Sequence, residues 1–284
     1  NSLGIIIALG GGLGLFLYGM KLMSDSLEKV AGARLRSVLE VLTKNKFAGI
    51  LVGVIFTAIV QSSSATTVMV VSFVNAGLMN LFQAVGVIYG ANIGTTVTSQ
   101  LVSFNLSEYA PIFVLVGVIM YMFMKKPAVK KFGEVIIGFG ILFIGLSTMS
   151  ASMESLKSSP MVTDLLGSLT NPFLGILMGF VITAILQSSS VTVSIVLLMA
   201  VQGLLALPIC FYIILGCNMG SCVSALIASL SGKKDAKRAA LIHFIFNVMG
   251  TAVLALILLV AGDYVEQFIC WISGDDIGRC VANA

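Results

Sequence analysis

Long apolar runs occur throughout this chain, and they constrain its fold more than any other feature. Several of them, such as residues 3–23 and 239–261, reach the ~20 residues that a helix needs to cross a bilayer. Only 10% of the residues are charged, whereas charged residues make up about a quarter of a typical soluble protein. The mean hydropathy is +1.08. We therefore expect an all-α integral membrane protein of the cell membrane, with the lipid bilayer around it.

The distribution of charges and cysteines excludes several other classes of protein. The sixteen Lys and Arg residues cluster in loops and form no basic helix face, so we expect no nucleic-acid partner. No metal-binding Cys/His spacing and no nucleophile–base pair occurs in the sequence, so we do not expect an enzyme. Cys210, Cys217 and Cys222 lie in one apolar segment, where a buried thiol is usually a small hydrophobic group. Cys270 and Cys280 flank a polar stretch and pair if that end faces an oxidising space.

The chain contains an internal duplication. Residues 12–104 align without gaps to residues 138–230, at a constant offset of 126. GLGLFLYG meets GFGILFIG, TAIVQSSS meets TAILQSSS, and GANIGTT meets GCNMGSC. Duplications of this kind build secondary transporters. We divide the chain into a first repeat, residues 1–130, a second repeat, residues 131–262, and an extracytoplasmic C-terminal segment, residues 263–284.

The polar sequence QSSS lies inside an apolar segment in each repeat. In the first repeat fourteen residues, 47–60, precede it, and nine apolar residues, 68–76, follow it. At 1.5 Å per residue neither arm alone crosses a hydrocarbon layer about 30 Å thick. The two arms fit a re-entrant hairpin that turns at QSSS, and they also fit one long helix with serines bonded to their own backbone.

The basic residues distinguish these two alternatives. If the loop of residues 125–131 is cytoplasmic and both QSSS segments are hairpins, segments 21–46 and 231–238 are cytoplasmic too. Fourteen of the sixteen basic residues then lie inside, and only Lys157 and Arg279 lie outside. This agrees with the positive-inside rule. Full spans at QSSS would put segments 21–46 and 125–131 on opposite sides. We therefore predict two re-entrant hairpins and two repeats of inverted topology.

Each repeat is then predicted to contain a span, an interfacial helix, a hairpin, a span broken at a Gly-x-Asn-x-Gly motif, and a final span. The predicted elements of the first repeat are residues 3–23, 21–46, 47–76, 78–104 and 109–124. Those of the second repeat are residues 135–153, 154–170, 173–202, 204–230 and 239–261.

The hairpin tips carry many hydrogen-bond donors. A helix that begins at a tip exposes its first N–H groups and the positive end of its dipole. Two such tips that meet near the bilayer midplane, one from each face, suit an oxyanion. The candidate anion-binding residues are Gln61, Ser62, Ser63, Ser64, Thr66, Gln187, Ser188, Ser189, Ser190 and Thr192.

The Gly-x-Asn-x-Gly motifs are candidates for a sodium site. Unwinding a helix there frees carbonyl oxygens, and neutral oxygens in a broken helix suit Na⁺. Glycines also allow helices to pack closely, but the duplicated Asn favours the ion site, because Asn is costly in lipid without a partner. No Asp or Glu lies in the middle of a span, which favours sodium over protons. The candidate sodium ligands of the motifs are Asn92, Thr95, Thr96, Asn218 and Ser221.

The paired QSSS and GANIGT-like motifs resemble those of the type II sodium–phosphate cotransporter family, over roughly residues 10–262. The resemblance implies sodium-driven uptake of inorganic phosphate, with phosphate between the tips and no organic cofactor. It also implies that hairpin oxygens of Gln61, Ser64, Gln187 and Ser190 join the sodium ligands. Many bacterial relatives continue into further helices and a soluble domain, so the resemblance implies that this chain is the core of a longer protein.

In some features the chain departs from the family pattern. Cys217 and Cys222 stand in the second repeat where the first has Ala91 and Thr96, so a sodium site that needs a hydroxyl at position 222 is not expected. The His–Phe–Asn signature of the family is similar to HFIFN here, and the first repeat lacks it. The alternatives to sodium–phosphate symport are a sodium-coupled carboxylate transporter and an uncoupled anion channel. A homodimer is an assembly that the sequence leaves open.

Overall fold

The computed structural model describes residues 2–42 and 45–284, and these residues form helices and no strand. The first part of the chain forms α1 (Ser2–Leu42), α2 (Lys46–Val60), α3 (Ser63–Asn75), α4 (Leu81–Gly94), α5 (Thr96–Ser103), a 3₁₀ helix (Leu106–Tyr109) and α6 (Ala110–Phe123). The second part forms α7 (Pro127–Leu156), α8 (Pro160–Gly167), α9 (Pro172–Leu186), α10 (Ser189–Val201), α11 (Leu207–Gly220), α12 (Val223–Ser229), α13 (Lys234–Ser273) and α14 (Ile277–Asn283). The prediction of an all-α fold is confirmed.

Several of these helices are long and apolar enough to cross a bilayer. Among the described residues five stretches meet that condition: Leu3–Ala31, Leu106–Phe123, Pro127–Leu156, Leu207–Ser229 and Lys234–Ser273. Large apolar side chains point away from the protein along them, for example Val260, which is 86% exposed. An apolar surface of this kind requires lipid rather than water around it. The protein is a multi-pass membrane protein.

The helices at the start of each repeat cross one another in opposite directions. On α1, Gly12 faces the backbone of Gly145 on α7, and Gly19 faces that of Gly138. The order of the glycines is reversed between the two helices, so α1 and α7 run antiparallel. Because these helices occupy the same position in the two repeats, their antiparallel crossing is the geometry of inverted repeats.

The two QSSS segments fold back on themselves. The hydroxyls of Thr57 and Thr66 lie 2.9 Å apart, and those of Thr183 and Thr192 lie at the same distance. In one straight helix residues nine apart would be separated by about 13 Å, at 1.5 Å per residue. The helical hairpins are therefore confirmed, and the single long helix is excluded.

The glycine motifs serve close packing of helices, and the helix continues through them. A Cβ on Gly90 would lie 2.0 Å from the Ile50 carbonyl oxygen, and one on Gly216 would lie equally close to that of Ile176. The helix is interrupted only afterwards, at Thr95 in the first repeat and at Ser221–Cys222 in the second. The expected unwinding within residues 90–94 and 216–220 is thus not observed, because these glycines hold α4 against α2 and α11 against α9.

The expected interfacial segments take two different forms. Helix α1 continues without a break from its apolar part to Leu42, so the first segment extends the span and is not a separate helix. The end of that segment, residues 43–44, lies outside the described residues. In the second repeat α8 is separate and makes an angle of 109° with α9. Helix α13 extends beyond the predicted residue 261 to Ser273, with non-helical dihedral angles at Ala261.

Candidate functional site

The two hairpin tips have the same backbone geometry. Gln61 ends α2 in the left-handed conformation (φ 60°, ψ 26°), and Gln187 ends α9 in the same way (φ 56°, ψ 23°). The next residues, Ser62 and Ser188, are extended, and α3 and α10 begin directly after them. A left-handed residue ends a helix, and an extended serine is a favourable N-cap. The sequence Gln-Ser-Ser therefore reverses the chain within two residues.

The side chain of the tip glutamine binds its own helix. In the first tip the Gln61 backbone N–H donates to the Thr57 carbonyl at 2.7 Å, and its side-chain amide donates to the carbonyl of Ala58. Ser24 of α1 donates to the Val60 carbonyl at 2.9 Å. These bonds satisfy carbonyls at the end of α2. One N–H of each tip glutamine is thus used within its own hairpin, and the role of Gln61 and Gln187 in anion binding stays a prediction.

The oxygen of each tip glutamine is held by a hydroxyl that the sequence analysis missed. Thr98 of α5 donates to Gln61 Oε1 at 2.9 Å, and Ser224 of α12 donates to Gln187 Oε1 at 2.6 Å. Thr98 and Ser224 occupy equivalent positions at the offset of 126, so the alignment of the repeats contained the signal. The helix segment after each interruption thus positions the tip of its own repeat.

The two tips are in direct contact. The Ser64 hydroxyl at the first tip donates to the backbone carbonyl of Gln187 at the second tip, at 3.2 Å. Ser224 also lies within 3.4 Å of the Ser64 hydroxyl and so touches both tips. The symmetric counterpart of the Ser64 bond, from Ser190 to Gln61, is not observed between these described residues. The structure therefore joins the two halves asymmetrically.

Some hydroxyls of the tips are engaged in hydrogen bonds, and others are unbound. Thr66 and Thr192 are almost fully buried inside their hairpins, where each pairs with a threonine of the preceding helix. Ser62 is occupied as the N-cap of α3, accepting from the Ala65 N–H at 3.1 Å. Within the described part of the chain, four tip hydroxyls have no hydrogen-bond partner: those of Ser63, Ser188, Ser189 and Ser190. These four and the free N–H groups at the starts of α3 and α10 are the donors that the tips leave unbound, whereas the Ser64 hydroxyl is bonded to the Gln187 carbonyl.

The segments that form the two hairpins contain no charged residue. Residues 47–107 and residues 165–232 contain no Asp, Glu, Lys or Arg. Among the described residues no group of three or more His, Cys, Asp or Glu side chains could hold a metal ion. The site therefore offers neutral oxygens and N–H groups only. Such a set fits Na⁺ and an oxyanion, and it does not fit a transition metal.

Asn92 lies in a polar network that connects the two repeats. Its Oδ1 is 3.2 Å from Nε2 of His243 on α13, and its Nδ2 donates to Asn247 Oδ1 at 3.2 Å. Asn247 in turn donates to the Cys222 sulfur at 3.1 Å. Both ends of the Asn92 amide are thus engaged with α13. His243 is thus a buried link between α13 and α4.

The other sodium ligands predicted in the glycine motifs and just after them are not brought together in this structure. Asn218, the equivalent of Asn92, is exposed, because α6 packs on α7 through Gly117 and does not reach α11 as α13 reaches α4. The hydroxyls of Thr95, Thr96 and Ser221 donate to carbonyls of their own helices, at 3.0, 2.7 and 2.7 Å. Their role as sodium ligands stays a prediction.

Comparison with known proteins identifies the family. A family model described as Na⁺/Pi-cotransporter matches the chain twice, over residues 15–151 and over residues 148–269. The chain belongs to the Na⁺/Pi-cotransporter family. This is a family of transport proteins, in agreement with the tip geometry and with the expectation from the motifs. The first match ends and the second begins within α7, near the middle of the chain.

Several curated proteins are similar over much of the chain. It is 31% identical over 256 residues to YqeW of Bacillus subtilis, an uncharacterized protein; the match covers 89% of this chain and 82% of YqeW. It is 30% identical over 241 residues to YjbB of Salmonella typhimurium, which is named for inorganic phosphate export. That match covers 84% of this chain and 44% of YjbB, so the chain spans less than half of that relative.

A mammalian relative matches one part only. The chain is 37% identical over 97 residues to sodium-dependent phosphate transport protein 2A of Rattus norvegicus, which corresponds to 33% of this chain and 15% of that protein. No solved structure matches the chain.

Proposed function

We propose that this protein is a sodium-coupled symporter of inorganic phosphate that works by alternating access. The observation that carries the proposal is the direct contact of the two QSSS tips, at which serine hydroxyls and helix N-termini converge. Phosphate presents four oxygens in a tetrahedral arrangement, so donors that approach from two opposite tips can bind it on two sides. Helix N-termini are favourable sites for phosphate.

The absence of charged residues from the hairpin segments supports sodium coupling. An anion taken from water into this part of the protein keeps its negative charge, and the hairpins themselves contain no Lys or Arg to neutralise it. A co-bound Na⁺ supplies the missing positive charge, with neutral oxygens such as Gln61 Oε1 and the Thr98 and Ser64 hydroxyls as ligands. Family membership and the sodium-dependent phosphate transport in the name of the rat relative support this choice of ion.

Alternating access is supported by the inverted repeats. Two halves that cross antiparallel can exchange their conformations, so that a site between them opens first to one side and then to the other. The direction of net transport is set by the gradients of the two solutes. The name of YjbB refers to phosphate export, so phosphate flux should be measured in both directions across the membrane.

The test is phosphate flux into proteoliposomes. We expect uptake of labelled phosphate down an inward sodium gradient, none when potassium replaces sodium, and efflux when the sodium gradient is reversed. Removing a charge-assisted hydrogen bond costs about 1.5–3 kcal/mol, so Ser63→Ala and Ser189→Ala should each lower flux about tenfold or more. Ser72→Ala is the matched control, because Ser72 is exposed on the same helix α3 and bonds its own backbone. Wild-type flux in both tip variants would refute the tip site.

The same assay addresses two other functions. A sodium-coupled carboxylate transporter would show competition of succinate or citrate with labelled phosphate. An uncoupled anion channel would carry phosphate equally well with and without a sodium gradient. We expect neither result.

We place the protein in the cell membrane with segments 21–46, 125–131 and 231–238 in the cytoplasm. The excess of basic residues in these segments supports this orientation. The end of α13 and helix α14 then lie on the opposite, extracytoplasmic side. A homodimer stays a prediction, which the molecular mass of the detergent-solubilised protein would test.

A further inference from the structure

Cys270 and Cys280 lie side by side at the end of the chain. Cys270 is on α13 and Cys280 on α14, and their sulfur atoms are 3.0 Å apart. A disulfide bond requires about 2.0 Å between the sulfurs, so a shift of about 1 Å joins them. The other cysteines, Cys210, Cys217 and Cys222, are buried along α11 and at its end.

A fixed turn brings the two thiols together. Gly274 and Asp275 are both left-handed (φ 66° and 59°) and reverse the chain after α13. The Asp275 N–H donates to the Cys270 carbonyl at 2.9 Å, and Asn283 donates to the Ser273 hydroxyl at 2.8 Å. The approach of the sulfurs is therefore set by backbone and side-chain bonds on both sides of them.

The two thiols differ in exposure. Cys280 is only 1% exposed, whereas Cys270 is partly exposed in a surface cavity of about 430 Å³. Asp263, Glu266, Gln267 and Trp271 also line this cavity. An oxidant from solution can reach Cys270, and Cys280 is reached only from the Cys270 sulfur.

Helix α14 connects two elements of the candidate site. Its residues Val281 and Ala282 are buried in the apolar core, and Gly278 packs against Val201 of hairpin helix α10. Gln100 of α5 donates to the Ala282 carbonyl at 3.1 Å and to the Asn283 side chain at 2.6 Å. Helix α5 also carries Thr98, which holds the first tip. Helix α14 thus contacts both α5, whose Thr98 binds Gln61 at the first tip, and α10, the second helix of the other hairpin.

We propose that Cys270 and Cys280 form a disulfide that fastens α14 to α13 at the extracytoplasmic end of the protein. The Cys270 thiolate attacks a disulfide of an oxidant, either a small-molecule disulfide or a thiol–disulfide oxidoreductase, and releases one thiolate. The Cys280 thiolate then attacks the Cys270 sulfur of this mixed disulfide and releases the second. The two protein thiols lose two electrons and two protons, and the oxidant disulfide becomes two thiols.

The disulfide links the redox state of the compartment to the site. It holds α14 in its contacts with α5 and α10, so we expect its reduction to alter phosphate flux. This consequence rests on the proposed transport function and on the proposed orientation, whereas formation of the bond is measured independently of transport.

The sequence allows a direct test of the bond. Trypsin cleaves after Arg238 and after Arg279, so Cys270 lies in the peptide of residues 239–279 and Cys280 in the peptide that begins at residue 280. The protein is expressed in its membrane, alkylated before solubilisation and digested. We expect the two peptides as a cross-linked pair by mass spectrometry, and two alkylated single peptides after prior reduction. Recovery of both peptides as alkylated monomers without reduction would overturn the proposal.

Two variants complete the experiment. Cys280→Ser should abolish the cross-linked pair, whereas Cys210→Ala should leave it unchanged. A pair that persists in Cys280→Ser would show that Cys270 has another partner, which also overturns the assignment. If the pair forms but dithiothreitol leaves phosphate flux unaltered, the link to transport is refuted while the bond stands. Absence of flux under both conditions would count against the proposed function and not against the bond.

Discussion

Substituting Gly19 by Ala tests the antiparallel crossing on which the inverted architecture depends. A Cβ at Gly19 would lie 2.5 Å from the Leu142 nitrogen and 2.6 Å from the Gly138 carbonyl oxygen. Ordinary contacts of a Cβ begin near 3.4 Å, so α1 and α7 would have to separate locally by about 1 Å. Overpacking of this kind typically costs about 1–3 kcal/mol.

Gly14→Ala is the matched control on the same helix. No atom of a neighbouring element lies within 4 Å of a Cβ at Gly14. Both substitutions gain the same helix propensity, about 0.5–1 kcal/mol in favour of Ala. The difference in free energy of unfolding between the two variants therefore isolates the clash, and we expect about 1–3 kcal/mol.

The assay is thermal unfolding in detergent, followed by far-UV circular dichroism. For proteins of roughly 150–250 residues 1 kcal/mol corresponds to about 2–4 °C in Tm, so Gly19→Ala should melt several degrees below Gly14→Ala. Gly145→Ala should show the same loss as Gly19→Ala, because its Cβ would lie 2.5 Å from the Phe16 nitrogen and 2.6 Å from the Gly12 carbonyl oxygen. Equal Tm values for Gly19→Ala and Gly14→Ala would refute the close crossing, and unequal losses at Gly19 and Gly145 would refute its two-fold symmetry.

Two further substitutions test the polar contacts. Ser224→Ala removes the hydroxyl that binds Gln187, so we expect a several-fold higher KM for phosphate in the uptake assay. Ser229→Ala on the same helix is the control and should leave the KM unchanged. An unchanged KM in Ser224→Ala would show that the second tip does not need this hydrogen bond. Asn247→Leu leaves the partly buried amide of Asn92 without one partner and should cost about 1–3 kcal/mol, which would lower the Tm. A Tm equal to that of the unaltered protein would contradict the proposed role of the network.

The hairpins were predictable from the sequence because their determinants are local and electrostatic. The arms around QSSS are too short to span, and the basic residues of segments 21–46 and 125–131 agree with only one topology. The internal duplication, read at an offset of 126, also contains the positions of Thr98 and Ser224. Their contacts with the tip glutamines were not predictable from local spacing, because each hydroxyl lies 37 residues from the glutamine that it binds.

Other features of the site could not be predicted in this way. The side-chain amide of Gln61 binds the Ala58 carbonyl because a left-handed residue at the helix end leaves that carbonyl for it to cap, and this depends on dihedral angles that composition does not specify. The amphipathic pattern after residue 21 is the same for a separate interfacial helix and for a continuation of α1. Glycine spacing likewise fits either unwinding or packing, and only the neighbouring helix α2 determines which occurs at Gly90.

The bond from Ser64 to the Gln187 carbonyl has no equivalent at the other tip among the described residues. Under the proposed alternating access the two repeats exchange conformations, so a contact made by only one of them marks one of the two arrangements. Exchanging the roles of the repeats then describes the other arrangement in atomic terms: Ser190 would donate to the Gln61 carbonyl, with Thr98 beside it in place of Ser224. The structure of one state thus specifies the contacts by which its counterpart can be recognised.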